Sequence, residues 1–468
     1  MSEGHFGTLD EQTSKQIMDY YYYVKYFSSW SRPLVYTSGM EIREIERFRS
    51  KLEAFLTDVV LPMGRKERRQ HAQEYIRGLL MDGERKSIEP MANRLLDGDV
   101  QALQQFVNQS PWSFGDVRAP LARKVEREFV PEAYWLIDEV SFPKQGKHSV
   151  GVARQYCGAL GKTANCQVAV TLDLGTEESS TPLDWALYLP EEWIDDPVRR
   201  QEAGIPEEIT FKTKTELALD LIDEVRGWGL QDRLVLADSL YGEAYEFRQG
   251  LRDRKLDYVV QVSGDLTAWT EDPHPSEPPM KRGGKIPRKR FYAKDFPPAP
   301  SLCQIAKDLP SRSWKTITWR EGTKGPLSSR FARVIVWMAN GLVQGKTMKE
   351  TPEELLIEWP EGDKEPWKYW LSILPPHRTS FRGLVRKAKG RFRVEQDYEE
   401  MKGEVGLDHF EGRSWQGWHH HVTLVTSAYA FLMLERMGNK KNFWIDLASC
   451  PPIDPEMLDV IQGRKSGL

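Results

Sequence analysis

Two short stretches of the chain share one pattern, an apolar run that closes on an aspartate. Tyr134-Trp135-Leu136-Ile137 precedes Asp138, and Leu234-Val235-Leu236-Ala237 precedes Asp238. Apolar runs of this length read as strands buried on both faces. A carboxylate at the end of such a strand is held rigidly enough to ligate a metal or act as a base. A third carboxylate, Glu395, stands in a late segment where helical spacing puts Arg391, Glu395, Glu399 and Lys402 on one face. Taken singly, each has a plainer reading: Asp138 as a turn former, and Arg391, Glu395 and Lys402 as a surface ion-pair ladder. Taken together, three carboxylates make an oxygen-only site suited to hard divalent cations, Mg²⁺ with Mn²⁺ as a substitute. Two such ions about 4 Å apart would activate an attacking oxygen and stabilise a leaving one in an in-line displacement at phosphorus. The expected chemistry is phosphodiester hydrolysis followed by strand transfer.

The neighbourhood of these residues suits a phosphate backbone. After Asp138 come Lys144, Gly146, Lys147, Gly151 and Arg154, glycines and cations that let a backbone approach closely. The GxxxxGK[ST] spacing of a P-loop is absent. Sixteen tryptophans is a high count, and Trp314-Lys315 and Trp319-Arg320 pair an aromatic face with a cation, a combination that suits stacking on bases. The more ordinary use of any one Trp is core packing. His419-His420-His421 cannot chelate one ion together, since consecutive helical residues point about 100° apart; they read as packing and hydrogen-bonding residues.

The elements that must position these residues follow in order. Residues 1–40 are rich in aromatics. Periodicity is helical from about 41 to 125, with Pro111-Trp112 and Pro120 punctuating its end and basic runs at Arg65–Arg69 and Arg85-Lys86 that suit DNA or a solvated face. Strands are expected around Asp138, at Cys166–Leu172 and at Leu183–Leu189, then a helix from about Thr215, the strand ending at Asp238, a helix and a strand at Tyr258–Val262. That order is an α/β, ribonuclease-H-like layer in which the first strand is central and the fourth lies beside it, so Asp138 and Asp238 should be neighbours. Residues 264–374 read as a β-rich insertion with a proline-rich basic loop, and one helix is expected to run from after Pro375-Pro376 through Lys402. A helix from Trp418 to Arg436 closes the core. The divisions are 1–125, helical; 126–263 and 375–440, the two parts of the core; 264–374, the insertion; and 441–468, a tail.

Bulk properties fit this. A length of 468 residues allows several domains, and a net charge of −4 excludes a wholly basic protein while leaving local basic clusters. Four scattered cysteines with no CxxC pair argue against a zinc ribbon or disulfide framework and for a reducing cytosol. The N-terminus has no basic-then-apolar signal.

These residues resemble the DDE transposases of bacterial insertion sequences, in the clan of insertion sequences 4 and 701. The likeness rests on Leu136-Ile137-Asp138 with Phe142 to Tyr156, on Ala237-Asp238-Ser239-Leu240-Tyr241-Gly242, and on the late helix with Gly406-Leu407-Asp408-His409-Phe410-Glu411-Gly412-Arg413. The resemblance implies cut-and-paste DNA transposition by a Mg²⁺-dependent ribonuclease-H-like core interrupted by a β insertion. It implies Asp138, Asp238 and Glu395 as metal ligands. It implies DNA contacts from Lys144, Lys147, Arg154, Tyr241, Arg391, Lys402 and an insertion Trp such as Trp319, with Trp314 and Trp337 as alternatives, stacking on a flipped base. Its partners would be the terminal inverted repeats and target DNA, with two copies joining two ends. The clan's Tyr-x2-Arg-x3-Glu-x6-Lys signature is met by Arg391, Glu395 and Lys402, but Ala388 stands at the Tyr position and Glu139 where an Asp is expected. A silent DNA-binding protein of the same fold and a nuclease that does not join ends are the competing readings.

Overall fold

The computed structural model describes residues 42–81, 83–95, 98–129, 132–272, 298–322, 325–339, 351–374 and 378–438. The aromatic-rich residues 1–40, the basic run at 281–290 and the tail 441–468 lie outside the described residues.

Five helices come first: α1 (Ile42–Val60), α2 (Lys66–Leu80), α3 (Ile88–Ala92), α4 (Val100–Asn108) and α5 (Phe114–Glu128). Asp99 caps α4 by accepting from the Gln101 and Ala102 amides, and Ser113 caps α5 through the Asp116 amide. Pro120, expected to end the helical stretch, sits inside α5. The backbone bond it lacks is outweighed by the buried stripe Val117, Leu121, Ala122 and Val125 on either side of it.

The strands are β1 (Tyr134–Pro143), β2 (Ala153–Cys157), β3 (Lys162–Gly175), β4 (Ser180–Leu187), β5 (Val235–Ala237), β6 (Tyr258–Val262), β7 (Ala268–Trp269), β8 (Lys315–Gly322), β9 (Gly325–Met338), β10 (Glu353–Glu358) and β11 (Lys368–Ser372). They form one sheet in the order β2-β3-β1-β5-β6-β11-β10-β9-β7, with β4 also on β3 and β8 on β9. β1, β3 and β4 are the antiparallel meander, and β5 lies parallel to β1. This is the ribonuclease-H-like layer. The insertion is not a separate lobe of strands: β11 pairs antiparallel with β6 and carries the same sheet outward through β10 and β9. β10 was not foreseen, because its sequence begins and ends on glutamates. All six of its residues are buried, and its acids are neutralised by Arg248 and Arg252 on Glu353, Arg333 on Glu354 and Lys389 on Glu358.

The remaining helices are α6 (Glu191–Ile194), α7 (Pro197–Ala203), α8 (Lys214–Gly227), α9 (Ser239–Glu243), α10 (Tyr245–Asp253), α11 (Leu302–Asp308), α12 (Phe381–Lys389), α13 (Phe392–Val405) and α14 (Trp415–Gly438). α8 opens on a capping box between Thr213 and Glu216. The single late helix expected from the sequence is two helices, α12 and α13, broken at Gly390-Arg391. Ser380 caps α12, and Gly390, a poor helix-interior residue, closes it with a tightened bond from its amide to the Lys387 carbonyl.

α14 is buried from Gly417 to Phe431 and is wrapped by α2, α4, α5, α13 and β4. A helix apolar all round belongs inside a core. Its three histidines are spent on packing. His420 lies between the carbonyls of Val107 and Trp112 at 2.8 and 2.9 Å, and His421 is 2.9 Å from the Tyr75 hydroxyl. Burial pushes them down to about 4 and about 3, against the carbonyl contacts, which favour the protonated ring. Arg118, also buried, reaches Asp184 at 2.8 Å, the Trp185 carbonyl at 3.0 Å and Thr423 at 2.7 Å, tying α5 to β4 and α14.

Candidate active site

Asp138 does not end its strand. β1 runs on to Pro143 because β3 continues to pair with it, Asp138 opposite Thr171 and Pro143 opposite Cys166. What ends at Asp138 is the pairing with β5, whose last partners are Ile137 and Ala237. Asp138 and Asp238 therefore each follow directly on a paired position of two neighbouring parallel strands. Asp238 leaves the sheet by capping α9, its Oδ1 accepting from the amides of Leu240 at 3.0 Å and Tyr241 at 3.5 Å. α9 lies so close to β6 that a Cβ on Gly242 would meet the Gln261 carbonyl oxygen at 1.9 Å, which makes glycine obligatory there.

Glu395 comes in from the first turn of α13. It is joined to Asp138 through Arg391, whose Nη1 donates to Asp138 Oδ2 at 2.7 Å and whose Nη2 donates to Glu395 Oε1 at 2.9 Å. Asp138 is 6% exposed, whereas the Glu395 side chain is 63% exposed. Burial raises the Asp138 carboxyl to about 7; Arg391 opposes the shift, and Asp238 and Glu395 add to it. The donor set is all oxygen and its surplus of negative charge calls for a cation, so these residues fit a hard divalent ion. Among the described residues no three His, Cys, Asp or Glu side chains converge tightly enough to hold an ion as they stand, and Arg391 occupies two of the three carboxylates.

Behind the site, α13 is keyed to the sheet. Tyr398 hydrogen-bonds Thr171, the cross-strand partner of Asp138, and Thr171 donates to Asp173 at 2.6 Å. Asp397 takes bonds from Ser180 and, at 2.9 Å, from Tyr429 on α14; burial raises its carboxyl to about 8. Lys402, placed by the sequence on the Glu395 face, donates to the Ser141 carbonyl at 3.2 Å and so ties α13 to β1. Glu139 pairs with Lys214 at 2.6 Å.

The other named residues divide. Lys147 and Arg154 are exposed. Lys144 is half-buried and donates to the Phe410 carbonyl at 2.7 Å. Tyr241 is fully buried, so it offers no surface to DNA, contrary to the expectation; its hydroxyl sits in the field of Glu139, Asp138 and Asp238. Trp319 has Lys389 Nζ 4.8 Å from its ring centroid. Trp314 packs edge-on against Trp359. Trp367 was overlooked, yet it is 62% exposed, with Lys368 and Lys389 Nζ 5.1 and 5.7 Å from its ring. Its neighbour Lys368 was the same aromatic-cation signal that drew attention to Trp314 and Trp319.

Among the described residues no helix is long and apolar enough to cross a membrane. A probable transposase for insertion sequence element IS701 from Microchaete diplosiphon is 33% identical over 187 residues, 40% of this chain and 46% of that protein. The chain thus spans about half the length of that curated relative. Residues 58–326 match the DDE superfamily endonuclease family, a stretch that holds Asp138 and Asp238 and stops short of Glu395. On that match over more than half its length, and with a ribonuclease-H-like sheet bringing two strand aspartates side by side, the chain belongs to the DDE superfamily endonucleases.

Proposed function

We propose that this chain is an insertion-sequence transposase that cuts DNA at transposon ends and joins them to a target by a cut-and-paste route. The observation that carries the reading is the register of β1 on β5, with Asp138 and Asp238 following paired residues and Glu395 linked to Asp138 through Arg391. Asp138, Asp238 and Glu395 would hold Mg²⁺, two ions in all, with Mn²⁺ able to substitute. Bound there, the metal supplies Lewis acidity at phosphorus and an activated attacking oxygen. The chain's own residues do the rest. The Tyr398–Thr171 bond holds α13 against the sheet and fixes the height of Glu395. Exposed Lys147 and Arg154 take backbone phosphates, and Trp367 offers an open ring to an unstacked base. Arg391, at the N-terminal edge of the helix that carries Glu395, and Lys402, within that helix, would face the DNA end. Two copies acting together would join two ends in concert.

The test is cleavage of a labelled supercoiled donor carrying the element's own ends, with Mg²⁺ or with EDTA, for wild type and Glu395→Ala. Metal-dependent cutting at the ends, lost in the variant, with joined products in the presence of target DNA, is the expected result. End binding without cleavage under any metal would leave a silent DNA-binding protein, and cutting without joining a nuclease.

A further inference from the structure

Resting on the metal-dependent reading above, we propose that Arg391 is a built-in counter-ion that must leave the carboxylates before a divalent cation enters, so that DNA and metal bind cooperatively. One guanidinium makes charge-assisted bonds to two of the three carboxylates, Asp138 at 2.7 Å and Glu395 at 2.9 Å. Asp138 has Oδ2 taken by Arg391 and Oδ1 by the Glu139 amide at 2.8 Å, and Glu395 has one oxygen taken, so a metal entering here competes with the guanidinium both for oxygens and through like charge. In the free protein a metal must therefore expel Arg391 into water. On DNA, a phosphate offers the planar fork a bidentate anionic partner in place of its single bonds to two carboxylates.

The local backbone suits such a departure. Arg391 sits at the joint between α12 and α13, where it precedes the first helical residue of α13 without a side-chain capping bond. Glu395, the partner it shares with solvent, is largely exposed, whereas Asp138 is buried and held in β1 by its pairing with Thr171 of β3. Exchange thus moves one arginine and one surface glutamate while the sheet stays still. Coupling is reciprocal: whatever factor DNA adds to metal affinity, metal adds to DNA affinity. A protein built this way holds metal weakly until an end is bound, which restrains hydrolysis of DNA it merely passes over.

The experiment follows Mn²⁺ alone, as the loss of the free aquated-ion EPR signal, on the full chain with and without a duplex bearing the element's end. Wild type is expected to bind Mn²⁺ about tenfold more tightly with DNA than without. Arg391→Ala and Arg391→Gln are expected to bind Mn²⁺ about tenfold more tightly than wild type in the absence of DNA, and to gain little from it. Asp138→Asn locates the ion and should abolish the binding. If folded Arg391 variants, with wild-type circular dichroism, bind Mn²⁺ no more tightly than wild type, the counter-ion role is overturned and the metal site stands. If no form binds Mn²⁺ even with DNA, or if Asp138→Asn leaves binding intact, the metal reading of these carboxylates falls with it.

Discussion

Two arginines in this fold bridge α-helices to the sheet through an aspartate, and they do so in opposite styles. Arg118 is buried with Asp184, and its remaining donors are taken up by Thr423 and the carbonyls of Trp185 and His419. Arg391 meets a buried aspartate on one side and a glutamate open to solvent on the other. The first pair is saturated with partners that only folding provides. The second spans two carboxylates, one buried and one open to solvent. The cation confined for stability has one buried carboxylate and otherwise neutral partners, while the one kept for use faces a second carboxylate that is open to solvent.

That contrast can be broken from both ends. Asp138→Asn should lower end cleavage about a thousandfold or more, since a metal's Lewis-acid contribution of several kcal/mol is lost at roughly 1.36 kcal/mol per tenfold. Its thermal unfolding midpoint should be unchanged or raised, because a carboxyl that burial disfavours has been removed. A drop in stability with cleavage intact would put Asp138 in the structural class. Arg118→Ala should do the reverse, destabilising by about 3–5 kcal/mol through the uncompensated Asp184, as read by denaturant midpoints; surviving protein should still bind DNA ends.

His421→Ala should cost about 1–3 kcal/mol by leaving the Tyr75 hydroxyl without its partner, with no change in Mn²⁺ binding, which checks that the histidines are packing groups. A finer probe is pH. The folded Asp138 carboxyl, at about 7, lies above its unfolded value, so the native state binds more protons between the two. Stability from this group is therefore lost as pH rises from about 4 to 7, and Asp138→Asn in EDTA should flatten that part of the unfolding profile. The smallest effect expected is from Trp367→Ala, a loss of about 1 kcal/mol or roughly fivefold in end binding, with Trp314→Ala neutral.

Much of this was legible in the sequence, for identifiable reasons. The two Asp-terminated apolar runs are strands buried on both faces, so their signal is continuous and unambiguous, and their adjacency follows from the element order. The i to i+4 step from Arg391 to Glu395 is local, and it appears as an ion pair. What was hidden depends on tertiary partners. β1 continues past Asp138 only because β3 pairs with it. β10 is a strand of glutamates made tolerable by arginines from far along the chain. The break at Gly390 is a weak local signal within a strong amphipathic pattern. Tyr241 looked available to DNA because sequence motifs carry no depth, and Gly242 beside it, forced against β6, is what pulls that turn inside.

The burial of α14 also sets a clock. Tyr75 and His421 share a hydrogen bond across 346 residues of chain. At about 5–20 residues per second of synthesis, α2 waits roughly 17–70 s in a growing polypeptide before the helix it packs against exists. For that interval α2 has α3 and α4 beside it but lacks the cover of α14, and chaperone binding to the nascent chain is expected at that uncovered part. Packing of α2 against α14 is therefore a late step relative to synthesis of α2 itself.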